Sequence, residues 1–557
     1  MTGKADLRTL SRDAHTDAIL RCWTREQGIE VTTDGLAVAV RGTRRTLLAK
    51  TTHVSLTGLH SFEDVEVRDE DGTAHSPAPE ELIDLLTTGA DATERALLRD
   101  RTAESVDNVA AFAGAGRPAE PTDPLFLTGE RSLLLGHLHH PAPKSRNGLS
   151  SADLHTYSPE LNGRFRMHWF EAHESVVSHD QAATSTALAG RDTPRLLADV
   201  CGVEPDADRV LVPAHPWQAA ALVRRPAVAR LLDEGMLRPL GPLGDEWFAT
   251  SSLRTLFHPA HPVMLKLSLG MRITNSVRES TATELRRGVE VHDLIDAGYL
   301  VHGDDSFTVV KDPAWLAVTS QGALTGLDVA VREVPQDVDR YICLAGLIAP
   351  SAPASATGWG PSHLARWVRD PEAWLAGYVD RVLLPMLHLY ARTGVGLEGH
   401  QQNTLVRLEH NGGVTGGAYR DNQGYYLAES RLSDVLACTG RATSTLAVVP
   451  DRLVDDRLTY YLLHNQALAL VGAMAAQRMA DERALLSVLR DRLEAATPAL
   501  AAAGPDGDRL ARRWLVARSL PCKANLATRL SGIDEVVAPL DAQSVYRDVP
   551  NPLVVSR

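Results

Sequence analysis

Three cations and three hydroxyls recur at alternate positions in the run MLKLSLGMRITNSVR, Met264 to Arg278. They are Lys266, Ser268, Arg272, Thr274, Ser276 and Arg278, interrupted only by Gly270, while Leu265, Leu267, Leu269, Met271, Ile273 and Val277 take the other parity. A strand sends alternate side chains to opposite faces, so this spacing predicts one strand with a cationic, hydroxyl-bearing face suited to an anion. Such residues are also ordinary on the solvated face of an antiparallel sheet, and it is the neighbouring segments that favour a site. Just upstream, TSSLRTLF offers Ser252, Arg254 and Thr255 as donors to phosphate oxygens, the arginine as a planar two-pronged one. The short turn HPAHP joins it to the strand bearing Lys266 and Arg278, making one side of an anion site.

A second segment, EGHQQNTLVRLEHNGGVTGGAYRDNQG, runs from Glu398 to Gly424. TLVRLE and VTGGAYR read as antiparallel strands around an Asn-Gly turn at Asn411 and Gly412. That register returns Asp421 beside Gln402 and Asn403, so Glu398, His400, Asn403 and Asp421 share one end of the sheet. Two carboxylates and an amide carbonyl are hard oxygen ligands suited to Mg²⁺, which takes the rest of its shell from water and substrate phosphates. An Asn followed by an Asp on the next strand is also how phosphoryl-transfer sites hold their metal. In a third segment, GHLHHPAPKSRNG, Lys144 and Arg146 make a basic loop fit to close over phosphates. His139 and His140, with the HPWQ at His215, lack the tight ligand pairs of a catalytic zinc site. The chain has no Walker A sequence, no GxGxxG and no convincing GxSxG elbow.

Positioning these groups needs more than one domain, and 557 residues exceed what a single core supports. The first hundred or so residues read as mostly helical, with PEELIDLLTTGADATERALLRDR the clearest amphipathic case. Breaks rich in Gly, Pro and Ala at 113–125 and 349–362 divide the chain into a helical part over 1–125, a mixed part over 126–360 and a third over 361–557. In the last part, DPEAWLAGYVDRVLLPMLHLYARTG predicts a helix begun at Asp370, kinked at Pro385 and stopped at Gly394. The fold class expected is therefore α+β.

Composition limits the partners. Hydrophobic residues at 44% and charged residues at 23% are ordinary for a globular protein. A net charge of -13 argues against nucleic acid or an anionic membrane, so a cationic face is a local pocket. Five scattered cysteines without a CxxC pair fit a reducing compartment. The N-terminus has no apolar core of a secretory signal and the most apolar later run is broken by Gln and Arg, so a cytoplasmic protein is expected.

Together, GHLHHPAPKSRNG, HPWQ, SSLRT, KLSLGMRITNSVR, EGHQQN, RDNQG and LPCKANLATRL resemble the NRPS-independent siderophore synthetases of the aerobactin-synthetase type, in the family's order from about Gly136 to the end. The resemblance implies a cupped hand of helical thumb, fingers and palm, with ATP between the last two. It implies an AMP-forming acid–amine ligase that adenylates a polycarboxylate such as citrate or a derivative and passes the acyl group to an amine or hydroxyl nucleophile, and it points to a homodimer. ATP then falls to Lys144, Arg146, Ser252, Arg254, Thr255, Lys266 and Gln402, and Mg²⁺ to Glu398, Asn403 and Asp421. Thr274, Arg278 and Lys523 face the carboxylate substrate, and Arg278 and His400 stabilise the reacting groups. Two departures are mild: Leu138 replaces a usual Pro, and Gly399 stands where Ala is common. The rival readings are an ADP-forming phosphotransferase using the same metal site and a paralogue that binds a carboxylate or siderophore without turning it over.

Overall fold

In the computed structural model, residues 4–115, 123–273, 276–355, 358–421, 423–533 and 543–555 are described. The architecture is α+β, organised around three large apolar cores. The first departs from the mostly helical expectation. Between the helices Lys4–Gln27 and Pro79–Leu86 lies an antiparallel sheet of Leu36–Ala39, Thr46–His53, Ser61–Arg68 and Ala74–His75. The reason is visible in the strands: Leu47 and Ala49 alternate inward from Thr46–His53, and Phe62 and Val67 join them in a core with Ile19, Leu20 and Trp23.

The second core lies on an eight-stranded antiparallel sheet. Its order is Val177–Gln181, Ala314–Ser320, Ala323–Glu333, Val263–Leu267, Thr255–Phe257, Leu237–Ala249, Arg164–His173 and Arg209–Ala214. Val263–Leu267 is an interior strand, hydrogen-bonded on both sides and buried at every position. Leu265 and Leu267 pack into the core with Trp169 and Trp247, while Met264 and Lys266 face the C-terminal part of the molecule.

The single strand expected through Arg278 is in fact three. The chain leaves the large sheet at Ser268 and folds into a hairpin of Leu269–Ile273 and Ser276–Arg278, with Leu269 opposite Arg278 and a register shift before Arg272. Gly270 supplies the reason. Its N–H donates to Gln218 Oε1 at 2.7 Å, and a Cβ there would stand 2.6 to 3.0 Å from the Glu279, Arg225 and Gln218 side chains. Beyond Ser268 the parity argument therefore lapses: Ser268 Oγ donates to Asp328 at 2.8 Å, and Arg272 does not line the site.

The third core is mainly helical, around a four-stranded sheet ordered Phe307–Val310, Val414–Arg420, Thr404–Leu408 and Tyr341–Cys343. Its first and last strands come from before residue 360, so core packing crosses that division. The 404–420 hairpin has the expected register, with Thr404 opposite Tyr419, Arg420 N–H donating to Asn403 O at 2.9 Å, and Gly412 at φ +85° in the turn. The helix begun at Asp370 is capped by that carboxylate on the Ala373 N–H at 3.0 Å and ends at Gly394 with φ +70°. It passes Pro385 through a π-helical turn, Val379–Leu383, inserted between Pro371–Tyr378 and Leu384–Thr393. The wider turn accommodates the N–H that proline lacks.

Candidate active site

A cleft of about 330 Å³ opens where the large sheet, the 404–420 hairpin, the 136–146 loop and the π-helical stretch Thr459–Leu468 meet. It gathers Lys144, Arg146, Ser252, Arg254, Thr255, Lys266, Arg278, Glu398, His400, Gln402, Asn403, Asp421 and Lys523 from seven separate stretches of sequence. Thr274 lies outside the described residues. Eight cations and two carboxylates line the walls. Three further carboxylates stand just behind them, Glu160, Asp312 and Glu130. Cations still exceed acids by three, in a chain whose net charge is -13. Such a pocket is unfavourable to assemble unless anions enter it.

The cations are held in place from below. Lys144 Nζ and Arg146 Nη2 both reach Glu160 Oε1 at 2.6 Å, and Arg146 closes a second bond to Oε2 at 2.7 Å. Burial alone raises a carboxyl pKa, but Arg146 and Lys144 hold Glu160 down to about 2. The 136–146 segment is thus a clamped wall of the cleft, where a loop free to close was expected. Arg332 forms two bonds to Asp312, at 2.6 and 2.8 Å. Arg420 pairs with Glu130 at 2.6 Å and donates twice to Gln402 O, at 3.1 and 2.9 Å, which fixes the turn after His400.

In the 250–255 loop, Leu253 takes φ +64°, a conformation uncommon for a side chain of its size. Its side chain is buried with Leu269 and Met271, and the reversal leaves Ser252 and Arg254 both on the cleft. Ser252 Oγ accepts the Thr255 N–H at 3.0 Å, and Arg254 Nη1 donates to Arg278 O at 2.9 Å. Burial and the adjoining Arg278 charge lower the Arg254 pKa, opposed by Glu284, Asp421 and Asp328.

Glu398, Asn403 and Asp421 all line the cleft, and their oxygens are of the types a divalent cation takes. Burial and the neighbouring Asp421 push the Glu398 carboxyl up to about 7. Asp421 stays ionised: burial opposes it, but Lys266, whose Nζ is 2.9 Å from Oδ1, and Arg332 hold the carboxyl well below the usual range. Burial in turn lowers Lys266 to about 8. Asn403 Nδ2 donates to Glu398 O at 3.2 Å, leaving its amide oxygen for a ligand.

His400 is a neutral imidazole at pH 7. Burial is the main cause of a pKa near 4, aided by Lys523 and Arg278 and opposed by Asp421. Its Nδ1 accepts the Gln402 N–H at 3.2 Å, which places the ring proton on Nε2, 3.9 Å from Glu398 Oε1. The other histidines singled out above are engaged within the protein, His139 Nε2 lying against Arg25 and the Gly58 carbonyl oxygen. His140 Nδ1 accepts the Ala142 N–H, and His215 Nδ1 caps the helix Pro216–Leu222.

Residues 125–349 match the IucA / IucC family model, and 372–537 match a model described as ferric iron reductase FhuF-like transporter. The rhizobactin siderophore biosynthesis protein RhbC of Rhizobium meliloti is 35% identical, over 90% of this chain and 89% of its own length. This chain belongs to the IucA/IucC family of NRPS-independent siderophore synthetases. The spermidine-citrate ligase of Bacillus anthracis is 34% identical over 77% of this chain and 73% of that protein. In fold, the chain superposes on the ATP-bound aerobactin synthetase IucA of Klebsiella pneumoniae with a TM-score of 0.80 at 23% identity, covering 97% and 99% of the two chains.

Within this siderophore synthetase the Gly399 departure has a packing cause. A Cβ on it would lie 2.7 Å from both Leu462 Cδ2 and Met386 Sδ, so alanine would need the ends of these two side chains to shift. Several cleft residues carried no signal in the sequence reading. Tyr460, Tyr461 and Asn465 arrive on the π-helical stretch, whose widened turn no propensity announces. Glu160 and Glu130 look like any surface glutamate until the fold buries them; only the pairing of buried cations with buried acids would find them.

Proposed function

We propose that this synthetase adenylates a polycarboxylate of the citrate type with ATP and transfers the acyl group to an amine, releasing AMP and pyrophosphate. The observation that carries the reading is the excess of fixed cations around two carboxylates that fit Mg²⁺. ATP and a polycarboxylate are both polyanions, and bringing them together is the difficulty the site must overcome. In the first step a carboxylate oxygen attacks the α-phosphorus, and the bond to the β-phosphate oxygen breaks to expel pyrophosphate. In the second, the amine nitrogen attacks the acyl carbon, the bond to AMP breaks and the amine proton leaves.

Lys266, Ser252, Arg254 and Thr255 bind the phosphates, joined by Lys144, Arg146 and Gln402 along the opposite wall. Arg278 bridges the α-phosphate and the attacking carboxylate, while Lys523 and Thr274 orient the remaining carboxylates. Glu398, Asn403 and Asp421 would hold Mg²⁺, which when bound adds charge neutralisation to the triphosphate. The tautomer of His400 favours a donor over a base: its Nε2–H is aimed to bond an oxygen that gains charge as the anhydride forms or breaks. Incubation with ATP, Mg²⁺, citrate and a panel of amines tests the reading. AMP and pyrophosphate formed only in the presence of the acid, with a condensed amide by mass, are expected; ADP with a phosphorylated product overturns it.

A further inference from the structure

The turn HPAHP, His258 to Pro262, joins Thr255–Phe257 to Val263–Leu267, and neither of its histidines lines the cleft. They stand three residues apart, each followed by a proline. Proline fixes its own φ and holds the residue before it in extended backbone, so Pro259 and Pro262 stiffen the turn that presents the two imidazoles. Trp247, fully buried, is their floor. The His261 ring stacks on its indole with centroids 4.8 Å apart, and the His258 ring sits 5.6 Å from it. The two imidazoles are 4.9 Å apart, edge to face.

Asp245 reaches the same spot from Leu237–Ala249, the neighbouring strand, with its Oδ2 3.3 Å from His261 Nε2. A ring nitrogen of each histidine and a carboxylate oxygen of Asp245 lie within 4.8 Å of one another, and no other group of three His, Cys, Asp or Glu among the described residues does so. Three ligands held about 2.0–2.2 Å from one ion stand roughly 3–3.5 Å apart. Asp245 and His261 already have that spacing, and His258 needs a closure of about 1 Å, within the play of a half-buried ring. Two imidazole nitrogens and a carboxylate suit Zn²⁺, Co²⁺, Ni²⁺ or Cu²⁺ better than the oxygen-seeking Mg²⁺.

We propose that Asp245, His258 and His261 form a metal site distinct from the cleft, for a divalent transition ion of the zinc type, which fastens the 258–262 turn to the strand Leu237–Ala249. That turn is otherwise lightly tied. Thr255–Phe257 is a short strand whose pairing with Leu237–Ala249 runs only through Phe248 with Phe257 and Ala249 with Leu256. Continuing the register sets Asp245 opposite residue 260, so the ion extends the pairing past its last bond. Binding has one internal cost. His258 Nδ1 accepts the Ala260 N–H at 3.2 Å, and ligation by either ring nitrogen takes up the Nδ1 lone pair, directly or by moving the ring proton onto Nδ1. The N–H then passes to water, which the exposure of Ala260 permits.

The test titrates Zn²⁺ into the purified full chain by calorimetry in excess Mg²⁺, which competes for oxygen ligands and not for imidazole. The expected result is one Zn²⁺ per chain with micromolar affinity and a raised melting temperature. His258→Gln and His261→Gln should each abolish that binding event while the metal-free melting temperature stays at the parent's. Asp245→Asn, at a side chain 62% exposed, should weaken it about tenfold without touching the fold. Co²⁺ bound beside the Trp247 indole should quench part of the tryptophan fluorescence in the parent and not in His261→Gln. Failure of the parent to take up Zn²⁺ overturns the site. So does unchanged affinity in any of the three variants, which would put the ion on other side chains; were a histidine variant unstable without metal, Asp245→Asn decides alone.

Discussion

At the scale of single residues, Glu160 is the keystone of one wall of the cleft, because one buried carboxylate satisfies two buried cations. Removing it leaves Lys144 and Arg146 charged and unmatched, so Glu160→Ala should destabilise the fold by about 3–5 kcal/mol in equilibrium denaturation. A loss below about 1 kcal/mol would show that these cations are solvated rather than clamped. Arg278→Ala and His400→Ala test the proposed chemistry instead. Each should lower acid-dependent pyrophosphate exchange about a hundredfold to a thousandfold with an unchanged melting temperature, and near-normal exchange in either would defeat the assignment. Most of the groups lining the cleft were legible, because a Lys, Arg or Asp beside a strand or an Asn-Gly turn announces itself. Their partners were not: Glu160, Asp312 and Glu130 lie 14 to 290 positions from the cations they hold, and sequence carries no sign of that pairing.

At the scale of elements, parity was reliable only while the strand lasted. Lys266 faces the site as read, but the chain turns out of the sheet at Ser268, and Arg278 reaches the cleft from the return strand of a hairpin. Gly270, which looked like an interruption, makes that turn possible. The 404–420 hairpin was fully legible because its turn chemistry and both strand patterns agree, whereas the N-terminal sheet was missed because its short strands lie between strong helical signals. Gly399→Ala tests the packing beside Glu398 and His400: crowding Leu462 and Met386 should cost about 1–3 kcal/mol in equilibrium denaturation, despite alanine being common in the family at this position. A neutral effect would mean that the π-helical stretch yields. His215, set between the Tyr157 and Phe165 rings at 4.6 Å, gives a pH test. Burial lowers its folded pKa to about 3, with Asp153 opposing and His168 assisting. The unfolded chain takes up the proton first, near 6.5, so stability present above that pH is lost as pH falls toward 3. His215→Asn keeps a capping side chain without the titration, and relative to it the parent should lose about 2 kcal/mol between pH 7 and pH 5 in urea denaturation. Parallel pH profiles would contradict this.

At the scale of the whole molecule, the charge is divided. An acidic chain concentrates a cationic excess in one cleft and sets a second, mostly apolar cavity beside it. The division was half legible. Net charge and the basic runs pointed to a local anion pocket, but the second cavity is built from the first helix, the 135–143 loop, residues 348–350 and 359–361, and residues 473–477, which meet only in the folded chain. No helix among the described residues is long and apolar enough to cross a membrane. If a carboxylate of the acid attacks the α-phosphorus, as proposed, an oxygen label follows that bond directly. Citrate carrying ¹⁸O in its carboxylates is incubated with ATP, Mg²⁺ and an accepted amine, and the nucleotide and phosphate products are weighed. The account predicts that each turnover leaves one ¹⁸O in AMP and none in pyrophosphate, because the acyl carbon–oxygen bond breaks when the amine attacks. Label in inorganic phosphate alongside ADP, with AMP unlabelled or absent, would place the attack on the γ-phosphorus and contradict it.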